Sequence, residues 1–382
     1  MTIALANGRI VTGRALATGL AVLIEDGRIK AVVPAPAVPQ GSEVYDLEGG
    51  TLLPGFIDVQ VNGGGGILFN DIPTVQALRT IGRAHSRFGT TGFLPTIISA
   101  DLATLAKAIA TVDDAIAAGV PGVLGIHIEG PFLNAERKGI HDPANFGVLD
   151  TNAFSLVTSL KHGKTVLTLA PETTNPRMIT ALTEAGVLVS AGHTNASYEI
   201  LTAAFAAGLR GFTHLFNAMS QLEGRTPGAV GSALEHDESW CGIIADGHHV
   251  HPASLRVALR CKGRDRLMLV TDAMSSVGSS QKSFELSGKT ISVQNGVCVG
   301  PDGTLAGSDL DMAAAFRNAR SIFKLDLPDL SRLASGNAAE FLGLEHEIGF
   351  IRLGTRADLV LMNDELQVRQ CWIGGNPQIG RE

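Results

Sequence analysis

Through the middle of the chain, short apolar runs alternate with stretches whose apolar residues recur at helical spacing. The runs are LLPGFIDVQV (52–61), GFLPTII (92–98), VLGIHIEG (123–130), TVLTLAPE (165–172), GVLVSAGHT (186–194), GFTHLFN (211–217), CGIIADGHHV (241–250) and LMLVTDAM (267–274). Between them, patterns such as DLATLAKAIATVDDAIAAG and SYEILTAAFAAG read as helices closed by Gly. Asn175-Pro176 and His251-Pro252 are helix openings, with Pro at the first helical position. Eight strands with helices between them predict an α/β fold, a (β/α)8 TIM-like barrel. An open doubly wound sheet has the same local pattern, and strand count alone leaves it standing.

The two ends of the chain differ from the middle and resemble each other. LAVLIEDGRIKAVV (20–33) has two apolar runs around Asp26-Gly27, a hairpin signal. ADLVLMNDELQVRQCWIGG (357–375) repeats the style, with Val368, Gln370 and Trp372 on one strand face. This predicts a small β-sandwich domain from residues 1–50 plus 346–382, with the barrel over 51–345. KTISVQNGVCVG predicts a further hairpin at Asn295-Gly296, inserted in the barrel near 283–305.

Composition narrows the class. The 382 residues are 45% hydrophobic and 18% charged, which suits a globular protein with a large core. The 45 glycines are spread without a repeat and read as turns and close backbone approaches. A net charge of −7 gives no reason to expect nucleic acid as a partner, and no stretch is long enough to span a membrane. The opening MTIALANGRIVTG lacks a basic start and continuous apolar core. Cys241, Cys261, Cys298 and Cys371 are widely spaced, as free thiols in a reducing compartment would be. Together these predict a soluble cytoplasmic protein.

The chemistry gathers at the strand ends. Glu129, His193, His214, His249 and Asp272 each stand at or just past the C-terminal end of a different predicted strand, where barrel active sites are built. Two imidazoles and a carboxylate, His193, His214 and Glu129, form a ligand set found in catalytic zinc sites. From residue types alone, a metal site and three unrelated polar strand ends both remain open. Asp272 is either a turn cap or the group that exchanges a proton with an attacking water. His141, in a long loop, could hydrogen-bond a substrate carbonyl, and Arg225 with His249 could hold a phosphate. Gln60 and Asn62 point to one side of the first strand, which resembles a strand that carries His-x-His in one large superfamily of metal-dependent hydrolases; carboxamides are weak ligands for a transition metal.

The segments LPGFIDVQVNG, IHIEGPFLN, KGIHDP, TLAPE, SAGHTNA, THLFNAM, GRTPG, IIADGHHV, LVTDA and TLAGS occur in this order over nearly the whole chain. They resemble the N-acetylglucosamine-6-phosphate deacetylases of the amidohydrolase superfamily. That resemblance implies hydrolysis of N-acetyl-D-glucosamine 6-phosphate to D-glucosamine 6-phosphate and acetate, in amino-sugar catabolism or recycling. It implies one divalent metal ion per subunit, zinc first and iron, cobalt or manganese as alternatives, on Glu129, His193 and His214. Asp272 falls on the family's acid/base, and His141 on the residue that meets the acetyl carbonyl. Asn217, Ala218, Arg225 and His249 fall on substrate contacts. Gln60-x-Asn62 matches the members that bind one metal and marks a vacated second metal position. Phe132 departs from a common Trp, and His248 beside His249 is a second variable point. Members of the family are homodimers, and Arg225 is expected to reach the neighbouring subunit's site. Two other readings stay in view: an amidohydrolase of another N-acyl or cyclic amide, and a non-catalytic barrel that binds amino-sugar phosphates. GRTPG and KGIHDP speak against the first, and Asp272 against the second.

Overall fold

The computed structural model describes residues 1–378, so the last four residues of the expected terminal β domain lie outside it. Eight parallel strands follow one another in chain order: Phe56–Val61, Thr90–Ile98, Gly125–Glu129, Lys164–Leu169, Leu188–Ala191, Gly211–Phe212, Trp240–Ile243 and Leu267–Leu269. Each pairs with the next in parallel register. The ring closes where Val61 bridges Ala273, with Asn62 N–H and Gly63 N–H donating to the Ala273 carbonyl at 2.9 and 3.0 Å. Asp58 fastens the seam from inside, accepting from Thr271 Oγ1 at 2.5 Å; burial pushes its carboxyl up to about 7. First and last strands joined this way make a barrel and rule out the open doubly wound sheet.

Helices cross outside between the strands, and their starts follow the sequence signals. Asp101, Asn175 and Ser197 cap Leu102–Ala117, Pro176–Glu184 and Tyr198–Ala206 through their side chains. His251 caps Pro252–Lys262 in the same way.

Strands from both ends of the chain form two further sheets. One has four strands, in the order Arg28–Pro34, Leu20–Glu25, Ile3–Ala6 and Glu43–Asp46. The other has six and joins Val368–Ile373 and Leu359–Met362 to Thr51–Pro54 and Arg9–Thr12. Leu5, Val22, Ile24 and Ile29 of the first share a buried cluster with Ile10, Leu52, Leu359, Leu361 and Trp372 of the second. Asp26-Gly27 and Asn295-Gly296 turn their hairpins with positive φ at both residues, 50° and 74°, 53° and 82°.

The run 52–61 is two strands where the sequence suggested one. Thr51–Pro54 belongs to the terminal sheet, past the boundary expected at residue 50, and Phe56–Val61 belongs to the barrel. Gly55 is the corner: a Cβ there would sit 2.0 Å from Thr91 Oγ1. A continuous apolar run carries no period to mark such a corner.

The inserted segment is a four-stranded antiparallel sheet, Ser283–Leu286, Lys289–Gln294, Val297–Val299 and Leu305–Ser308. Its last strand returns to the barrel seam. Ser308 N–H donates to Asp272 O, and Met274 N–H donates to Ser308 O, both at 2.9 Å. Residues 304–307 thereby reach the barrel mouth.

Candidate active site

A cavity of about 310 Å³ opens at the C-terminal rim of the barrel, and Glu129, His141, His193, His214, Asn217, Ala218, His249 and Asp272 all line it. Glu129 ends the third strand; His193 and His214 stand two residues past the fifth and sixth, and Asp272 three past the eighth. His193, His214, Ala218 and Asp272 have φ of 48°, 33°, 50° and 53°. Left-handed backbone at a non-glycine residue costs about 1–3 kcal/mol, and its clustering here aims side chains inward against that strain.

His214 Nε2 lies 2.9 Å from Glu129 Oε1, His193 Nε2 lies 3.4 Å from the same oxygen, and the two Nε2 atoms are 3.1 Å apart. His193 Nδ1 donates to the Arg137 carbonyl at 2.7 Å, so its Nε2 presents a lone pair. Burial would raise the Glu129 carboxyl, yet its close contacts with the imidazoles of His193 and His214 hold it well below the usual range. Burial likewise opposes charge on His214, and Glu129 outweighs it and raises the imidazole. A metal ion binds only the unprotonated nitrogens, so metal and proton compete for this cluster. Three donor atoms within 4.8 Å, two nitrogens and one oxygen, fit a divalent transition metal.

Gln60 and Asn62 hold the two carboxylates. Gln60 Nε2 donates to both oxygens of Glu129 at 3.2 and 3.3 Å, and Asn62 Nδ2 donates to Asp272 Oδ1 at 2.6 Å. Burial, and then the charge of Glu129, push Asp272 up to about 6, while Asn62 pulls the other way by bonding the ionised form. Asn62→Ala is therefore expected to raise the Asp272 pKa, by up to about one unit. With the carboxylate as the form that would accept a proton, the acidic limb of a kcat/KM profile is expected to move to higher pH in that variant. An unmoved limb means that Asn62 does not tune Asp272.

His141 Nδ1 meets Ser99 Oγ at 2.8 Å and Ser99 N at 3.4 Å. Burial, then the neighbouring His193, drive this imidazole down to about 3, so it is neutral at pH 7. His249 Nδ1 and Asp246 Oδ2 are 2.6 Å apart, and Asp246 Oδ1 also accepts from the backbone N–H of His248 and His249. His248 is exposed, which leaves His249 as the histidine of that pair on the cavity wall. Arg225 is exposed on the loop before Gly228–Glu235 and is not part of the wall.

Several residues in the site had no part in the sequence reading. Glu172, at the end of TLAPE, accepts from Thr194 Oγ1 and Asn195 N at 2.5 Å and from Asn134 Nδ2 at 2.9 Å, which anchors the loop carrying His193. Its place just past the fourth strand, like that of Glu129 on the third, was the available signal. Arg137 lines the cavity beside Glu136, and its Nε donates to Asn195 Oδ1 at 2.6 Å. Ser99 and Asp246 act through histidines, and no spacing rule marks them.

A barrel that gathers a Glu/His/His cluster, a raised Asp and a neutral His at its C-terminal rim is built as a metal-dependent hydrolase. The Amidohydrolase family profile matches residues 51–377, and the NagA composite domain matches residues 3–52. The chain belongs to the amidohydrolase family, whose members use a divalent metal. It is 41% identical over 374 residues to an N-acetylgalactosamine-6-phosphate deacetylase of Shewanella sp. (strain ANA-3), covering 97% of this chain and 94% of that one. It is 34% identical over 378 residues to an N-acetylglucosamine-6-phosphate deacetylase of Haemophilus influenzae, covering 98% and 99%. The crystal structure of the Pasteurella multocida N-acetylglucosamine-6-phosphate deacetylase superposes with a TM-score of 0.96 at 32% identity over 100% of both chains. A mutant Mycobacterium smegmatis deacetylase in complex with N-acetyl-D-glucosamine-6-phosphate matches with a TM-score of 0.89 at 30% identity, covering 100% of this chain and 99% of that one.

Proposed function

We propose that this chain hydrolyses the acetamide of N-acetyl-D-glucosamine 6-phosphate, giving D-glucosamine 6-phosphate and acetate. The carrying observation is one cavity that holds Glu129, His193 and His214 together with Asp272 and His141, in a chain aligned end to end with deacetylases of this substrate class. Glu129, His193 and His214 hold one divalent metal ion, zinc, which supplies Lewis acidity and a low-pKa water when bound.

The chain's own groups do the rest. Asp272 accepts a proton from the attacking water as the new C–O bond forms at the acetamide carbon. It then delivers that proton to the nitrogen as the C–N bond breaks, so the amine leaves uncharged and the acetic acid formed gives up the water's second proton to solvent as acetate. His141, neutral, donates a hydrogen bond to the acetyl oxygen as charge builds on it. Asn217, Ala218 and His249, on the cavity wall, bind the sugar phosphate, with His249 oriented by Asp246.

Arg225, exposed and away from its own cavity, supplies the phosphate contact in a second subunit of a homodimer. Arg225→Ala is expected to lower kcat/KM for the phosphorylated sugar by about 10–100-fold, the worth of one charge-assisted hydrogen bond. The weak rate with N-acetylglucosamine should change far less; equal losses on both would contradict the assignment. A cytoplasmic location is supported by four free cysteines, three of them buried, and by the absence of any helix long and apolar enough to cross a membrane among the described residues.

The 41% identity to an N-acetylgalactosamine-6-phosphate deacetylase favours a second reading, in which the C4 epimer is the substrate. Acetate release measured side by side from both 6-phosphates and from N-acetylglucosamine separates the two. The first reading expects the highest kcat/KM with the gluco epimer, and a higher value with the galacto epimer replaces it by the second. Release from neither phosphate by metal-loaded protein overturns both.

A further inference from the structure

We propose that Ser99 fixes His141 in the tautomer that carries its proton on Nε2, so that an N–H donor and not a lone pair faces the substrate carbonyl. This rests on the assignment of His141 to the acetyl oxygen made above. Ser99 is the first residue past the strand Thr90–Ile98, and its backbone N–H points at His141 Nδ1 from 3.4 Å. A backbone amide can only donate, so Nδ1 must accept, and in a neutral ring the proton then lies on Nε2. The Ser99 hydroxyl, 2.8 Å from the same nitrogen, is a second donor to it.

The surroundings hold this arrangement in place. Asn70 brackets Ile98, accepting from its N–H at 3.0 Å and donating to its carbonyl at 2.9 Å; Asn145 Nδ2 donates to the Ser99 carbonyl at 3.3 Å. Gly130, directly after Glu129, leaves the space that the hydroxyl needs: a Cβ there would lie 2.4 Å from Ser99 Oγ. The opposite tautomer would set Nδ1–H against the Ser99 N–H and offer the carbonyl oxygen a lone pair. Ser99 is thus a positioning residue that acts through His141.

Nitrogen NMR of zinc-loaded protein labelled at the histidine rings reads the tautomer directly, with His141→Gln to assign the signals. The expected result is a bare, hydrogen-bonded Nδ1 and a protonated Nε2 for His141. In Ser99→Ala, which keeps the backbone N–H, part of the population should move to Nδ1–H. The same variant should lose about tenfold in kcat with KM within about twofold, because the donor is lost mainly in the transition state. A protonated Nδ1 in the unmodified protein overturns the proposal, and an unchanged tautomer in Ser99→Ala overturns the hydroxyl's part in it and leaves the backbone N–H as the group that fixes the ring. The expected tautomer in a protein that releases no acetate from either hexosamine phosphate leaves the Ser99 assignment standing and overturns the substrate reading instead.

Discussion

Asp272→Asn is expected to keep its fold and its metal and to lose about 10³-fold in kcat, within the range that one well-placed acid/base contributes. Asp272 stands past the last barrel strand at φ 53° and is half-buried, with Asn62 bonded to one oxygen at 2.6 Å. The other oxygen is left for the proton transfers proposed above. An Asn side chain in that place can neither accept the water's proton nor deliver one to the nitrogen. KM should change little, since Asp272 is not among the groups assigned to the phosphate. A variant within tenfold of the parent, at equal metal content, would remove Asp272 from the proton path.

Glu129→Gln has the second large effect, through metal retention. The carboxylate is the one negative charge in the cluster, with His193 and His214 as neutral partners when a metal is bound. Replacing it by an amide leaves two imidazoles and a weak oxygen, and sets that amide against the Nε2 of Gln60, which now donates to both carboxylate oxygens. Metal binding should weaken by at least about 10²-fold, more than is common on losing a group behind a ligand. Activity should fall with metal content and return in part when metal is added in excess. Full metal content after dialysis would show that the cluster is not the site.

The fold was readable where a local rule sufficed. Capped helices, Asp-Gly and Asn-Gly hairpins and apolar runs ending in His, Glu or Asp each follow from neighbours within a few residues. Parallel strands read in this way placed Glu129, His193, His214 and Asp272 at one rim, and the structure brings all four to one cavity. What the sequence withheld depends on long-range pairing. Gln60 meets a partner 69 residues away and Asn62 one 210 residues away, and no spacing links a carboxamide to a carboxylate at such distances. Their shared strand face was predictable, while their work as hydrogen-bond donors to the two carboxylates was not. Ser99 and Asp246 were silent for a related reason, since each acts only through the ring nitrogen of a histidine. Arg225 shows the opposite limit: its loop was legible as a motif, yet a single chain leaves it exposed and outside its own cavity.

The central claim is a deacetylase that works with one metal ion. Its most direct test is the rate of acetate release from N-acetylglucosamine 6-phosphate as metal-free protein is titrated with zinc. The rate is expected to climb linearly and to level at one equivalent per chain, with no further gain at two. A rate that needs the second equivalent, or that is already full without metal, would contradict it.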